Sequence, residues 1–102
     1  MERMDLLSFQ IISTVGTARS MYIEAIQAAK NGNFKGAEEL ITEGALLFTQ
    51  GHHAHAGLIQ QEASGDKIEF SLLLMHAEDL LMSAEAFKIL AEEFIDLYQR
   101  LG

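Results

Sequence analysis

Apolar residues along this chain recur at steps of three and four, the repeat of one face of an α-helix. From Asp5 to Lys30 the series is Leu7, Ile11, Ile12, Val15, Ala18, Tyr22, Ala25, Ile26 and Ala29, which predicts a first long helix. Asn31-Gly32-Asn33 breaks it: Gly32 suits a left-handed helix C-terminus and Asn33 suits the N-cap of the next helix. A second helix is predicted over Phe34 to Ser64, with Leu40, Ile41, Ala45, Phe48, Leu58 and Ile59 on its apolar stripe. Ser64-Gly65-Asp66 forms the second turn. Asp66 and Glu69 have capping-box spacing, so a third helix is predicted over Lys67 to Leu101. Gly16, Gly44, Gly51 and Gly57 fall inside these helices. A glycine there costs about 1 kcal/mol relative to alanine, so each implies a close neighbour or a local bend.

No alternating run bounded by hairpin turns competes with this reading. The expectation is all-α: one domain over residues 1–102, an antiparallel three-helix bundle with two short turns. The third helix carries too many apolar residues for one stripe. Ile68, Leu72, Leu73, Met75, Leu80, Met82, Phe87, Ile89, Leu90, Phe94, Ile95, Tyr98 and Leu101 cover more than one face. A helix apolar on more than one face needs more than one packing surface, so the chain is predicted to self-associate into a closed ring or bundle.

Composition narrows the function. The 102 residues include no proline, as long uninterrupted helices require. No cysteine is present, which removes disulfides and thiolate metal sites. The net charge of −8 argues against nucleic acid and favours a partner with a basic docking face. The charged start Met1-Glu2-Arg3-Met4-Asp5 has no signal-peptide apolar core, and no window is long and charge-free enough to span a membrane. A soluble, cytoplasmic protein is expected.

The candidate chemistry lies in the run from Leu72 to Met82, where His76, Glu78 and Asp79 interrupt apolar residues. Burying an ionisable group is costly unless it is paired, so these positions call for an explanation. His76 and Asp79, three apart, share a helix face. A neutral imidazole is a nucleophile, and His76 could carry a phosphoryl group if one ring nitrogen is held and the other is free. The competing reading is a core histidine bonded to a backbone carbonyl. Asp79 is a lone carboxylate amid leucines. If three copies met on an axis, the carboxylates could not all stay ionised without a counter-ion, and Mg²⁺ suits such a donor set. His52-His53-Ala54-His55 offers only His52 and His55 at metal-ligand spacing; solvated histidines are the alternative. No phosphate-cradling glycine loop is present.

Taken together, several stretches resemble one family. Glu62-Ala63-Ser64-Gly65 precedes Met75-His76-Ala77-Glu78-Asp79-Leu80-Leu81-Met82, and Ile95-Asp96-Leu97-Tyr98 lies near the end. Phe9-Gln10-Ile11-Ile12, Gly16-Thr17-Ala18-Arg19-Ser20 and Ala28-Ala29-Lys30-Asn31-Gly32-Asn33-Phe34 supply the first helix and turn. This pattern resembles the lactose/cellobiose (N,N′-diacetylchitobiose) class of phosphotransferase-system enzyme IIA over essentially the whole chain. The resemblance implies a homotrimer, a nine-helix bundle, and a cytoplasmic phosphocarrier that accepts a phosphoryl group from phospho-HPr and passes it to an enzyme IIB. It implies His76 as the phosphorylated residue and Asp79 as the axial carboxylate that binds a divalent metal. Four positions depart from the family's pattern: Glu78 stands for a glutamine, Leu80 for a second histidine, and His55-Ala56 for Gln-Thr. A carboxylate next to a phosphohistidine would repel the incoming dianion. The departures therefore imply an alternative, a non-catalytic helical module that binds a protein partner without phosphotransfer.

Overall fold

The computed structural model describes residues 3–102, which form three helices: α1 (Arg3–Lys30), α2 (Phe34–Ala63) and α3 (Leu72–Leu101). Met1 and Glu2, which belong to the domain expected over 1–102 and to its charged start, lie outside the described residues. No strand occurs among the described residues. None of the described helices is long and apolar enough to cross a membrane.

The two predicted turns form, and each ends its helix through a left-handed glycine. At the end of α1, Gly32 takes φ 83°, its N–H bonds the Ala29 carbonyl, and the Asn33 N–H bonds that of Ala28. At the end of α2, Gly65 takes φ 93°, with Gly65 N–H to Glu62 and Asp66 N–H to Gln61. Each is the six-to-one, five-to-two pattern that satisfies the last carbonyls of a helix. Asn33 caps α2 as predicted, its side-chain oxygen accepting from Gly36 N–H at 3.0 Å.

The start of α3 differs from the expectation. The helix begins at Leu72, not Lys67, and residues 66–71 are irregular. Ser71, with φ −146° and ψ 152°, is the N-cap and accepts from Leu74 N–H at 3.0 Å. Asp66 is occupied in the preceding turn, and Ile68 leaves the chain direction to pack half-buried on the core. Ser71 stands directly before the apolar run, which is the stronger cap signal.

α1 packs against both other helices, while α2 and α3 meet each other much less. Along α1, Ile11, Val15, Ala18, Tyr22, Ala25 and Ala29 are buried. Two core clusters result. One joins Tyr22, Ala25, Ala37, Ile41, Ala91 and Ile95. The other joins Ile11, Val15, Leu58, Leu74, Ala77 and Leu81 and underlies the polar residues of α3. Glycines let α2 close on α1. A Cβ at Gly44 would come within 2.7 Å of the Tyr22 ring, and one at Gly51 within 2.5 Å of Val15. A Cβ at Gly16 would meet the Leu80 side chain at an ordinary 3.5 Å, whereas one at Gly57 would meet none of the described residues within 4 Å. Close approach within the chain therefore accounts for Gly44 and Gly51 but not for Gly57.

Candidate functional site

The buried side of α3 is set by Leu74, Ala77, Leu81, Ala84, Ala91 and Ile95. The opposite side should be polar in a finished molecule, and it is not. Leu72 is 77% exposed, Met82 64%, Ile89 58% and Leu101 74%, with Met75, Leu90 and Leu97 also exposed. At about 100° per residue these side chains line one stripe down the helix, and Asp79 sits within it, exposed.

His76 is exposed on one flank of that stripe. The core-histidine alternative is thereby removed, because the ring is open to an incoming molecule. Successive positions on a helix separate the neighbouring groups. Leu80, one turn from His76, is half-buried over Gly16 of α1. Glu78, two residues from His76, is about 200° round the helix and lies on the other flank, facing α2.

There it meets His55. The His55 Nε2–Glu78 Oε1 distance is 3.0 Å, with the His55 side chain 17% exposed and that of Glu78 48%. The carboxylate expected to crowd His76 is thus turned away from it within its own chain and held by an imidazole. Two of the residues that depart from the family pattern, His55 on α2 and Glu78 on α3, touch each other. This pairing was missed from sequence, because residues 23 apart give no periodic signal. The departures at both positions were the one available clue.

The histidine tract does not gather ligands. His55 is engaged with Glu78, and His52 stacks on Phe48 with ring centroids 6.0 Å apart and planes 30° apart. Among the described residues of one chain, no three histidine, aspartate or glutamate side chains converge to hold a metal. A metal centre made by His52 and His55 is therefore not supported. Asp79 has no such partners within one chain either, so any ion there requires other copies. A groove of about 330 Å³ opens beside the site between the end of α2 and the start of α3, with Leu58, Ile59, Phe70 and Met75 as its apolar lining. Glu62, Glu69 and Glu78 give it an acidic rim.

Comparison with known proteins bears on this geometry. Residues 6–99 match the family model "PTS system, Lactose/Cellobiose specific IIA subunit". The chain is 42% identical over 100 residues to the lichenan-specific phosphotransferase enzyme IIA component of Bacillus subtilis, covering 98% of this chain and 91% of that one. It is 37% identical over 99 residues to the lactose-specific EIIA component of Lactococcus lactis, covering 97% and 94%. Among solved structures, the cellobiose-specific enzyme IIA of Bacillus anthracis superposes with a TM-score of 0.96 at 44% identity, over 99% of this chain and 93% of that one. The IIA(Chitobiose)–HPr complex of Escherichia coli superposes with a TM-score of 0.84 at 29% identity, over 99% and 98%.

Proposed function

This chain belongs to the lactose/cellobiose-specific enzyme IIA family of the phosphotransferase system, and on that footing we propose that it carries the phosphoryl group on His76. It is a phosphocarrier in sugar uptake, taking the group from phospho-HPr and delivering it to a lactose/cellobiose-type enzyme IIB in the cytoplasm. The observation that carries the residue assignment is the exposed His76 imidazole on the flank of an apolar stripe centred near Asp79. One ring nitrogen of His76 attacks phosphorus. A new N–P bond forms as the donor's bond to phosphorus breaks, and its electron pair returns to the donor. Delivery to enzyme IIB is the same exchange with His76 as leaving group. Such a transfer asks the protein mainly for positioning and charge stabilisation.

The exposed stripe of α3 supports a homotrimer with the three α3 helices on the axis, a nine-helix bundle. A ring of this kind is built from unlike patches meeting head to tail. The flank of one α3 that bears His76 then faces the flank of the next that bears Glu78. Three Asp79 carboxylates would converge on the axis. An exposed carboxylate inside a stripe about to be buried fits a divalent cation such as Mg²⁺ held by Asp79 and water. The ion would offset the gathered negative charge and is not required by the transfer itself. The acidic surface, with its net charge of −8, suits a phosphodonor with a basic docking face.

The non-catalytic alternative rested on Glu78 and Leu80. Their placement favours the carrier: Leu80 is a packing residue against α1, and Glu78 is paired. The test is incubation with phosphoenolpyruvate, enzyme I and HPr, read by intact mass. The wild-type chain gains one phosphoryl group and His76→Ala gains none. A wild-type chain that never gains that mass overturns the carrier reading in favour of the non-catalytic module.

A further inference from the structure

We propose that His55 is a positioning residue for phosphoryl acceptance: by binding Glu78 it holds that carboxylate against α2 and masks it from the phosphoryl group arriving at the neighbouring protomer's His76. The inference rests on the carrier reading and its head-to-tail ring and deepens them.

The groove on the Glu78 flank has Glu62, Glu69 and Glu78 on its rim, and among the described residues no lysine or arginine lines it. An incoming phosphoryl group is a dianion, so an uncompensated carboxylate brought close to it opposes it. Glu78 is the rim carboxylate on α3 itself, two residues from His76. In the head-to-tail ring it lies on the flank that meets the neighbouring protomer's His76. Left free, its half-exposed side chain would sample rotamers that reach out of the groove. The 3.0 Å contact to His55 Nε2 removes that freedom. The His55 ring is itself mostly buried, with its side chain only 17% exposed, so it holds one orientation. It thus presents an N–H to Oε1 from a fixed place on α2. The contact bridges the two helices that otherwise meet least. A solvated surface histidine would have no need of that burial.

The experiment is a double-mutant cycle on the full chain, reading the rate of phosphoryl acceptance from phospho-HPr. His55→Ala frees the carboxylate and lowers kcat/KM by on the order of tenfold, the effect of one unit charge acting on a dianion near a protein surface. The loss falls mainly on KM for phospho-HPr. His55→Ala combined with Glu78→Gln restores the rate to within about twofold of wild type, because no charge remains to be masked. A role confined to bracing the fold predicts the opposite, since the double variant lacks the bridge as well. Equal rates for wild type and His55→Ala overturn the inference and leave the carrier reading standing. So does a double variant as slow as His55→Ala. A wild-type chain that takes no phosphoryl group overturns the carrier reading and this inference together.

Discussion

Tyr22 shows how a single buried side chain ties this fold to pH. Its ring is fully buried against Gly44 of α2, and its hydroxyl has no hydrogen-bond partner among the described residues. Burial, and then the negative charge of Glu92, push its pKa up to about 12. The unfolded chain releases the same proton near pH 10. Between those values the unfolded state binds fewer protons than the folded one, so stability is complete below about pH 10 and falls as pH rises toward 12. The loss is on the order of 2–3 kcal/mol. Tyr22→Phe removes that slope and, by deleting an unsatisfied hydroxyl, leaves neutral-pH stability unchanged or raised by up to about 1 kcal/mol. Denaturant unfolding across about pH 8–12 measures both effects. Helical spacing placed Tyr22 in the core, as the structure does. That its hydroxyl would go unpaired depended on what α2 and α3 bring to it. For His76 and Glu78, helical spacing sets the two on different flanks, but only packing decided which flank faces α2.

Within the helices, the glycines divide by what stands opposite them. Gly44 faces the Tyr22 ring and Gly51 faces β-branched Val15, neither of which can yield cheaply. Gly44→Ala and Gly51→Ala should each destabilise by about 1–3 kcal/mol, the cost of overpacking. Gly57→Ala meets open space in the protomer and should stabilise α2 by about 0.5–1 kcal/mol. Urea midpoints with unchanged m-values would check this; a stabilised Gly44→Ala would contradict the close approach of α2 to α1. From sequence these glycines looked alike, since glycine marks that space is needed but not which neighbour needs it. The first turn was legible because Gly32 and Asn33 act through local bonds. The start of α3 was misplaced because capping-box spacing pointed to Asp66, whereas the structure caps the helix at Ser71.

At the scale of the molecule, one rod measuring 53 × 24 × 19 Å leaves α3's apolar stripe uncovered along its length. Leu72, Met82 and Leu101 are each more than 60% exposed. A contiguous apolar face of that extent marks an interface. Sedimentation equilibrium should give three times the chain mass. Removing divalent ions with a chelator should lower the thermal midpoint of the assembly, and Mg²⁺ should restore it, because three Asp79 carboxylates lose their counter-ion. A midpoint indifferent to chelator removes the ion from the proposal, and a monomer removes the axis.

The residues by themselves determined the helices, their turns and the excess of apolar surface on the last helix. Each of these comes from periodicity and short-range bonding, which the order of residues encodes directly. They also marked His76 and Asp79, since polar groups in an apolar run stand out without any fold. Tertiary structure decided which flank of α3 each polar group occupies. It joined His55 to Glu78 and turned Leu80 into a packing residue. Those outcomes depend on how helices far apart in sequence rotate and approach, a matter of side-chain volumes summed over the whole core.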